Sequence, residues 1–250
     1  MTTEQVKPLA GRIALITGAS RGIGHATAIA LAREGAHVVA TARTVGGLEE
    51  LDDAIKAVGG TATLVPLELR DAEGIARLAA ALDERYQRLD VLIGNAALGA
   101  SNSPLDHFHP KEWDEVMAVN VTANWHLIRF LNPLLRKSDA GRVVFVTSGS
   151  STNARAYRGL YAASKAALDT MARTYAAETA ATPIKVNLFN PGPTRTAMRA
   201  AVMPGEDPMT LPAPDEVAAS IVPLCRPDFQ ETGKLYDFRV KKLLSFRAPD

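Results

Sequence analysis

Short apolar runs alternating with helix-length stretches constrain this 250-residue chain more than any other feature. "RIALITG" (12–18) is such a run, closed by Gly18, and reads as a buried strand. "IGHATAIALAREG" follows, with Ile23, Ala26, Ala30 and Leu31 near helical spacing and Gly35 as a stop. The cycle repeats through a strand at 36–42, a helix near 47–57, a strand at 62–69, a helix near 72–86 and a strand at 90–96. A longer helix near 110–137, a strand at 141–148, a helix holding "YAASK" and a strand at 184–192 continue it. Parallel strands covered on both faces read as continuous apolar runs. The alternation therefore predicts an α/β fold with a doubly wound parallel sheet and helices on both faces.

Composition narrows the classes. With 28 basic and 27 acidic residues the formal net charge is +1, which argues against bulk nucleic-acid binding or a polybasic membrane surface. Cys225 is the single cysteine, so an intramolecular disulfide and a Cys-rich metal site are excluded, and a buried, inert thiol is expected. His25, His37, His107, His109 and His126 form no metal-ligand spacing with acids, so no metal is expected. No apolar run reaches about 18 residues, and "MTTEQVKPLAG" has no apolar signal core. The expectation is a soluble protein of a reducing, cytoplasmic compartment.

One region breaks the rhythm. Residues 193–214, "PTRTAMRAAVMPGEDPMTLPAP", carry five prolines beyond a strand end. Ligands of open α/β sheets bind outside the carboxyl ends of the strands. A long insertion there reads as a substrate lid.

"TGASRGIG" (17–24) lies between the first strand and the first helix. Gly18 permits a tight turn, Gly22 lets backbone approach a phosphate, and Gly24 lets the helix pack closely on the sheet. With Ser20 and Ile23 the loop would present free N–H groups and a helix dipole to a pyrophosphate. No Gly-Lys-Ser/Thr follows, so it is not a Walker loop. At the end of the second strand an acid would select NAD through the ribose 2′-hydroxyl. Ala42 stands there instead, followed by Arg43, and Arg21 projects from the glycine loop. Two guanidiniums beside one ribose suit a 2′-phosphate, which favours NADP(H) over NAD(H).

Taken together these residues resemble the classical short-chain dehydrogenase/reductase family from about residue 10 to 235. "TGASRGIG" resembles its cofactor loop, "GNAA" (94–97) its Asn-Asn-Ala-Gly element, and Asn120 in "MAVNVTANW" its helix asparagine. Ser148 precedes Tyr161 by thirteen residues, "YAASK" supplies Tyr161 and Lys165, and "NPGPTRT" (190–196) resembles the segment that contacts the nicotinamide side. The resemblance implies a single Rossmann-type domain over 1–250 and an NADP(H)-dependent enzyme acting on a small carbonyl or alcohol substrate. It further implies a homodimer or homotetramer through the helices near 110–137 and 156–180. It adds the backbone N–H of Leu69 at the adenine, Asn95 and Ala96 at the ribose, and Pro191, Gly192, Thr194 and Thr196 at the nicotinamide. Gly94 and Ala97 depart from the four-residue element, Glu68 replaces an Asp, and "TGKLYDFRVKK" lacks the closing Gly-Gly.

Carbonyl reduction needs a hydride, a proton and stabilisation of the developing oxyanion. Tyr161 is the expected acid in reduction and base in oxidation. Lys165, one helical turn on, is expected to lower the phenol's pKa and to bond the nicotinamide ribose. Ser148 would polarise the carbonyl oxygen. Asn120, as the resemblance implies, would hold a water linking Lys165 to solvent. Arg155 near Ser148 would favour an anionic substrate, and whether Arg155 or Arg199 points into the pocket stays open. The alternative is a non-catalytic NADP(H)-sensing module on the same fold.

Overall fold

The computed structural model describes residues 7–246. The expectation for the N-terminal stretch falls largely on residues 1–6, outside the described residues. The strands are β1 (Ile13–Thr17), β2 (His37–Ala42), β3 (Thr61–Pro66), β4 (Val91–Gly94), β5 (Arg142–Val146), β6 (Lys185–Asn190), β7 (Lys234–Asp237) and β8 (Lys242–Ser245). The helices are α1 (Gly22–Arg33), α2 (Val45–Ala57), α3 (Ala72–Tyr86), α4 (Pro110–Met117), α5 (Ala123–Arg136), α6 (Gly159–Glu178), α7 (Ala197–Val202) and α8 (Pro214–Cys225).

The strands form one sheet in the order β3-β2-β1-β4-β5-β6-β7-β8, parallel except for β8 at the edge. Alternation along each strand divides the core into two layers. Ile16, Val38 and Val144 face Leu31 of α1, Leu51 of α2 and Ile221 of α8. Leu15, Leu92 and Val143 face Leu78 of α3, Leu131 of α5 and Leu168 of α6. The chain winds outward from β1 in one direction and from β4 in the other. The chain leaving the carboxyl ends of the paired strands β1 and β4 therefore turns in opposite directions and leaves a crevice, the usual ligand position in such sheets.

The expected doubly wound parallel sheet is present, with differences that have physical causes. The strand expected over 62–69 stops at Pro66, opposite Ala42 at the end of β2, and Leu67 N–H makes the last bond to the Ala42 carbonyl at 2.9 Å. The helix expected over 110–137 is interrupted by a π-helical turn at Ala118–Thr122, which contains Asn120. Segment 193–214 is not a bare loop: it contains α7 and a short 3-10 turn at Pro208–Thr210. On α5, Leu127 and Leu131 are core residues, whereas Trp125 is 44% exposed. Gly94 is glycine because a Cβ there would come within 2.4 Å of the Phe145 ring. No helix among the described residues is long and apolar enough to cross a membrane.

Cys225 is buried at the end of α8, and burial pushes its thiol up to about 12. Native protein should leave an aromatic disulfide reagent unreacted at pH 8, and one thiol should appear on unfolding in guanidinium. Rapid stoichiometric labelling of the native protein would contradict this placement.

Candidate active site

The glycine loop is held open from behind. Thr17 Oγ1 accepts from the N–H groups of Asn95 (3.0 Å) and Ala96 (3.1 Å). Asn95 Nδ2 donates to the Thr17 carbonyl (2.9 Å) and the Gly18 carbonyl (3.3 Å). Gly18 and Gly22 adopt φ of 67° and 61°, the left-handed region that glycine enters without penalty. Gly24 does not line the cleft. It packs behind the loop, where a Cβ would come within 2.4 Å of both the Gly18 carbonyl oxygen and Asn95 Nδ2. Arg21 is the N-cap residue of α1 and supplies no side-chain cap. The first turn of α1 thus opens into the cleft with N–H groups that no capping side chain takes, a cradle suited to a pyrophosphate.

The cleft has a volume of about 1290 Å³ and runs along the carboxyl ends of the strands. Ser20, Arg21, Gly22 and Ile23 line one end together with Arg43, Glu68 and Leu69. Ala42 is buried and brings no acid to the end of β2. Glu68 accepts from the backbone N–H (3.1 Å) and guanidinium (3.0 Å) of Arg70, which holds its carboxyl below the usual range. Arg43 stands farther from Glu68, at 3.8 Å, and is mostly exposed. These residues fit a phosphorylated adenosine ribose.

Ser148, Tyr161 and Lys165 meet in the middle of the cleft. Ser148 follows β5 and its Oγ accepts from Ser150 N–H at 3.1 Å. Tyr161 and Lys165 stand one turn apart on α6, with Lys165 Nζ 5.8 Å from the Tyr161 ring centroid. Lys165 is buried and donates to the Val146 carbonyl at 2.8 Å.

The expected electrostatics need correction. Burial raises the Tyr161 phenol above its ordinary value, and the groups opposing that rise are Arg158 and the Ser148 hydroxyl, not Lys165. Lys165 is itself drawn down to about 8 by burial, opposed by Asp169.

Asn120 is fully buried and behind the cleft rather than in it. Its Oδ1 accepts from Leu98 N–H (2.8 Å), and its Nδ2 donates to the Leu98 carbonyl (3.0 Å) and Ser164 Oγ (3.0 Å). With both amide protons engaged, the side chain is a brace between the strand-end loop and α6. Asn95 lines the cleft as expected, and its side-chain amide also braces the glycine loop. Ala96, Pro191, Gly192, Thr194 and Thr196 line the cleft as expected.

Sequence reasoning missed several residues. Asn190 Oδ1 accepts from Gly149 N–H (3.0 Å) and Gly192 N–H (3.1 Å), and its Nδ2 donates to Asp237 Oδ2 (3.0 Å). It fixes the loop after Ser148 against the loop after β6. Its place at the start of "NPG" was the available signal. Thr17 opens the "TGASRGIG" motif, but its bracing role shows only in its contacts, and Arg158 carries no motif signal. Arg199 lines the cleft but is paired bidentately with Glu206 at 2.6 and 2.6 Å, whereas exposed Arg155 lines the mouth.

The parallel sheet, its switch-point crevice and the uncapped glycine-loop helix define a nucleotide-binding α/β protein. The model of the short chain dehydrogenase family matches residues 12–207, and the chain belongs to that family of oxidoreductases. It is 38% identical over 230 residues to the uncharacterized oxidoreductase YciK of Escherichia coli K12, covering 90% of this chain and 91% of that protein. A short-chain dehydrogenase of Shigella flexneri 2a, solved in complex with NADP, superposes with a TM-score of 0.89 at 37% identity, over 93% of this chain and 99% of that one. Another from Escherichia coli CFT073, solved with NADPH, gives 0.87 at 38% identity, over 93% and 98%.

The Lys165 site generates a pH signature. Burial draws this ammonium from 10.5 down to about 8, opposed by Asp169. Its folded pKa lies below its unfolded one, so between pH 8 and 10.5 the unfolded state binds more protons and stability rises with pH. The cost of burying the charge is fully present below that window and relieved across it. Lys165→Met removes this contribution. Urea unfolding without cofactor should show the variant losing about 3 kcal/mol relative to wild type as pH rises through the window. A difference that is flat with pH would contradict the buried ammonium.

Proposed function

We propose that the chain is an NADP(H)-dependent oxidoreductase that interconverts a carbonyl and a secondary alcohol by hydride transfer, with Tyr161 as the acid in reduction and the base in oxidation. The observation that carries this reading is convergence. Ser148, Tyr161 and Lys165 share one cleft with the glycine loop and the uncapped start of α1. The NADP and NADPH complexes of similar structures support the choice of cofactor, as do Arg21 and Arg43 where an acid would favour NAD(H).

Bound reduced nicotinamide supplies the hydride. Gly18, Ser20, Gly22 and Ile23 would hold the pyrophosphate through backbone N–H groups, with Arg21 and Arg43 on the 2′-phosphate. Leu69 would meet the adenine, and Ala96, Pro191, Gly192, Thr194 and Thr196 would border the ribose and nicotinamide. The Ser148 hydroxyl donates to the carbonyl oxygen, and the Tyr161 O–H transfers its proton to that oxygen as negative charge develops. A phenol kept protonated by burial suits the reductive direction. In oxidation the same phenol must lose its proton first, with Arg158 as the cation that favours the phenolate. Lys165 would bond the ribose hydroxyls. The solvent link expected of Asn120 has no free group there, since its side chain is engaged and its main-chain carbonyl accepts from Asn124 Nδ2 at 2.9 Å.

Segment 193–214 is the proposed lid. Met198, Val202 and Met203 of this segment line the cleft, and the Arg199–Glu206 pair joins its two halves. Exposed Trp113 and Trp125 on α4 and α5 support a homodimer or homotetramer.

Two outcomes check this reading. Tyr161→Phe should lower turnover at least about a hundredfold while NADPH affinity, followed by nicotinamide fluorescence, stays within a few-fold. Wild-type rates in this variant would remove Tyr161 from the chemistry. Separately, Arg21→Ala with Arg43→Ala should weaken NADPH about ten- to a hundredfold and NADH about threefold or less. Equal losses for the two cofactors would refute the 2′-phosphate assignment.

A further inference from the structure

Charge along the cleft is one-sided. Among the described residues Glu68 is the one acid lining it, beside Arg43 and Leu69, and it is held by Arg70. Arg158 stands over the Tyr161 ring, Arg155 and Arg199 act on Arg158 as like charges, and Arg239 lines the cleft beside Gly192. Glu206 neutralises Arg199. Arg158 forms no ion pair among the described residues; its side-chain partner is the neutral Asn102 Oδ1 at 2.9 Å.

Arg158 is held in position by several contacts. It is the N-cap residue of α6, and its Cζ stands 5.4 Å from the Tyr161 ring centroid. Asn102, which accepts from Arg158, also donates through Nδ2 to the Val202 carbonyl of α7 at 3.1 Å. The guanidinium is thus fixed between the phenol and the lid helix. Tyr157, at φ 66°, turns the chain into α6, and its carbonyl accepts from Ser103 N–H at 3.0 Å. That left-handed conformation is unfavourable for a bulky aromatic residue, and such strain clusters at functional sites. Burial draws Arg158 below the ordinary guanidinium range, Tyr161 opposes this, and the like charges of Arg199 and Arg155 lower it further. A half-buried guanidinium with no counter-ion is costly until an anion reaches it.

We propose that the substrate carries its own anionic group, a carboxylate or a phosphate, which Arg158 binds bidentately beside Tyr161, with Arg155 as a second cation at the cleft mouth. The proposal rests on the hydride-transfer reading of the same site. The planar guanidinium fork matches both oxyanions. The cofactor's phosphates are already provided for at the other end by the glycine loop, Arg21 and Arg43. Because Arg158 lies over the Tyr161 ring, the anion sits near the reacting carbonyl and not at the end of a long chain.

Binding can be measured without turnover. Tyr161→Phe protein saturated with NADPH is titrated by calorimetry with acetoacetate against methyl acetoacetate, and with dihydroxyacetone phosphate against dihydroxyacetone. The first pair reports a carboxylate, the second a phosphate. One anion should bind about tenfold or more tighter than its neutral partner. Adding Arg158→Gln should bring that ratio close to one, and Arg158→Lys should retain part of it. A purely structural role for Arg158 would move anion and neutral partner alike and leave the ratio intact. Parity in both pairs, or a preference that survives Arg158→Gln, overturns the proposal. NADPH oxidation by wild-type enzyme separates the two readings. Turnover confined to neutral ketones sinks the anion proposal alone, while anion binding with no oxidation of NADPH sinks the hydride-transfer reading and leaves the anion site standing.

Discussion

Thr17 holds the site open. Its hydroxyl takes the two N–H groups that follow β4, and Asn95 returns its amide to the carbonyls of Thr17 and Gly18. These bonds lock the ends of β1 and β4 together at the point where the sheet changes direction. The glycine loop has nowhere else to go, and Gly24 lets α1 approach within a distance that a methyl group would forbid. An uncapped helix N-terminus at the mouth of a cleft follows from that packing.

The part of the cleft that holds Ser148, Tyr161 and Lys165 is built by the same device, with buried polar side chains tying strand-end loops to helices. Asn120 braces α6 through Ser164, and Lys165 anchors α6 to the end of β5 through the Val146 carbonyl. Asn190 joins the loops after β5 and β6. Buried polar groups of this kind are tolerated because each is hydrogen-bonded, and a satisfied network fixes one geometry. The π-helical turn at Asn120 belongs to this network, since it places the side chain where both Leu98 and Ser164 can be reached.

The sequence exposed the parts of this design that depend on backbone and burial. Central strands such as Arg142–Val146 are covered on both faces and so read as apolar runs. The glycines of the loop declare a backbone conformation directly. Parts that depend on distant partners were not legible. β7 and β8 are short and only partly covered, and α8 carries Pro223, which reads as a breaker although it lies near the helix end. Gly94 reads in the sequence as a departure from an asparagine, and its reason, the Phe145 ring beside it, lies 51 residues along the chain. The i,i+4 spacing placed Lys165 near Tyr161 correctly, but it does not report the burial that raises the phenol or the Arg158 guanidinium that opposes that rise. Arg158 itself depends on Asn102, 56 residues earlier.

The central claim is hydride transfer between a nicotinamide and a carbonyl in this cleft. It is tested most directly by incubating the wild-type protein with NADPH deuterated at the nicotinamide C4 and a panel of ketones, then analysing the alcohols by mass spectrometry. The account predicts one deuterium on the carbinol carbon of at least one product. Tight NADPH binding with no label transferred to any ketone would contradict it and would favour the sensing module.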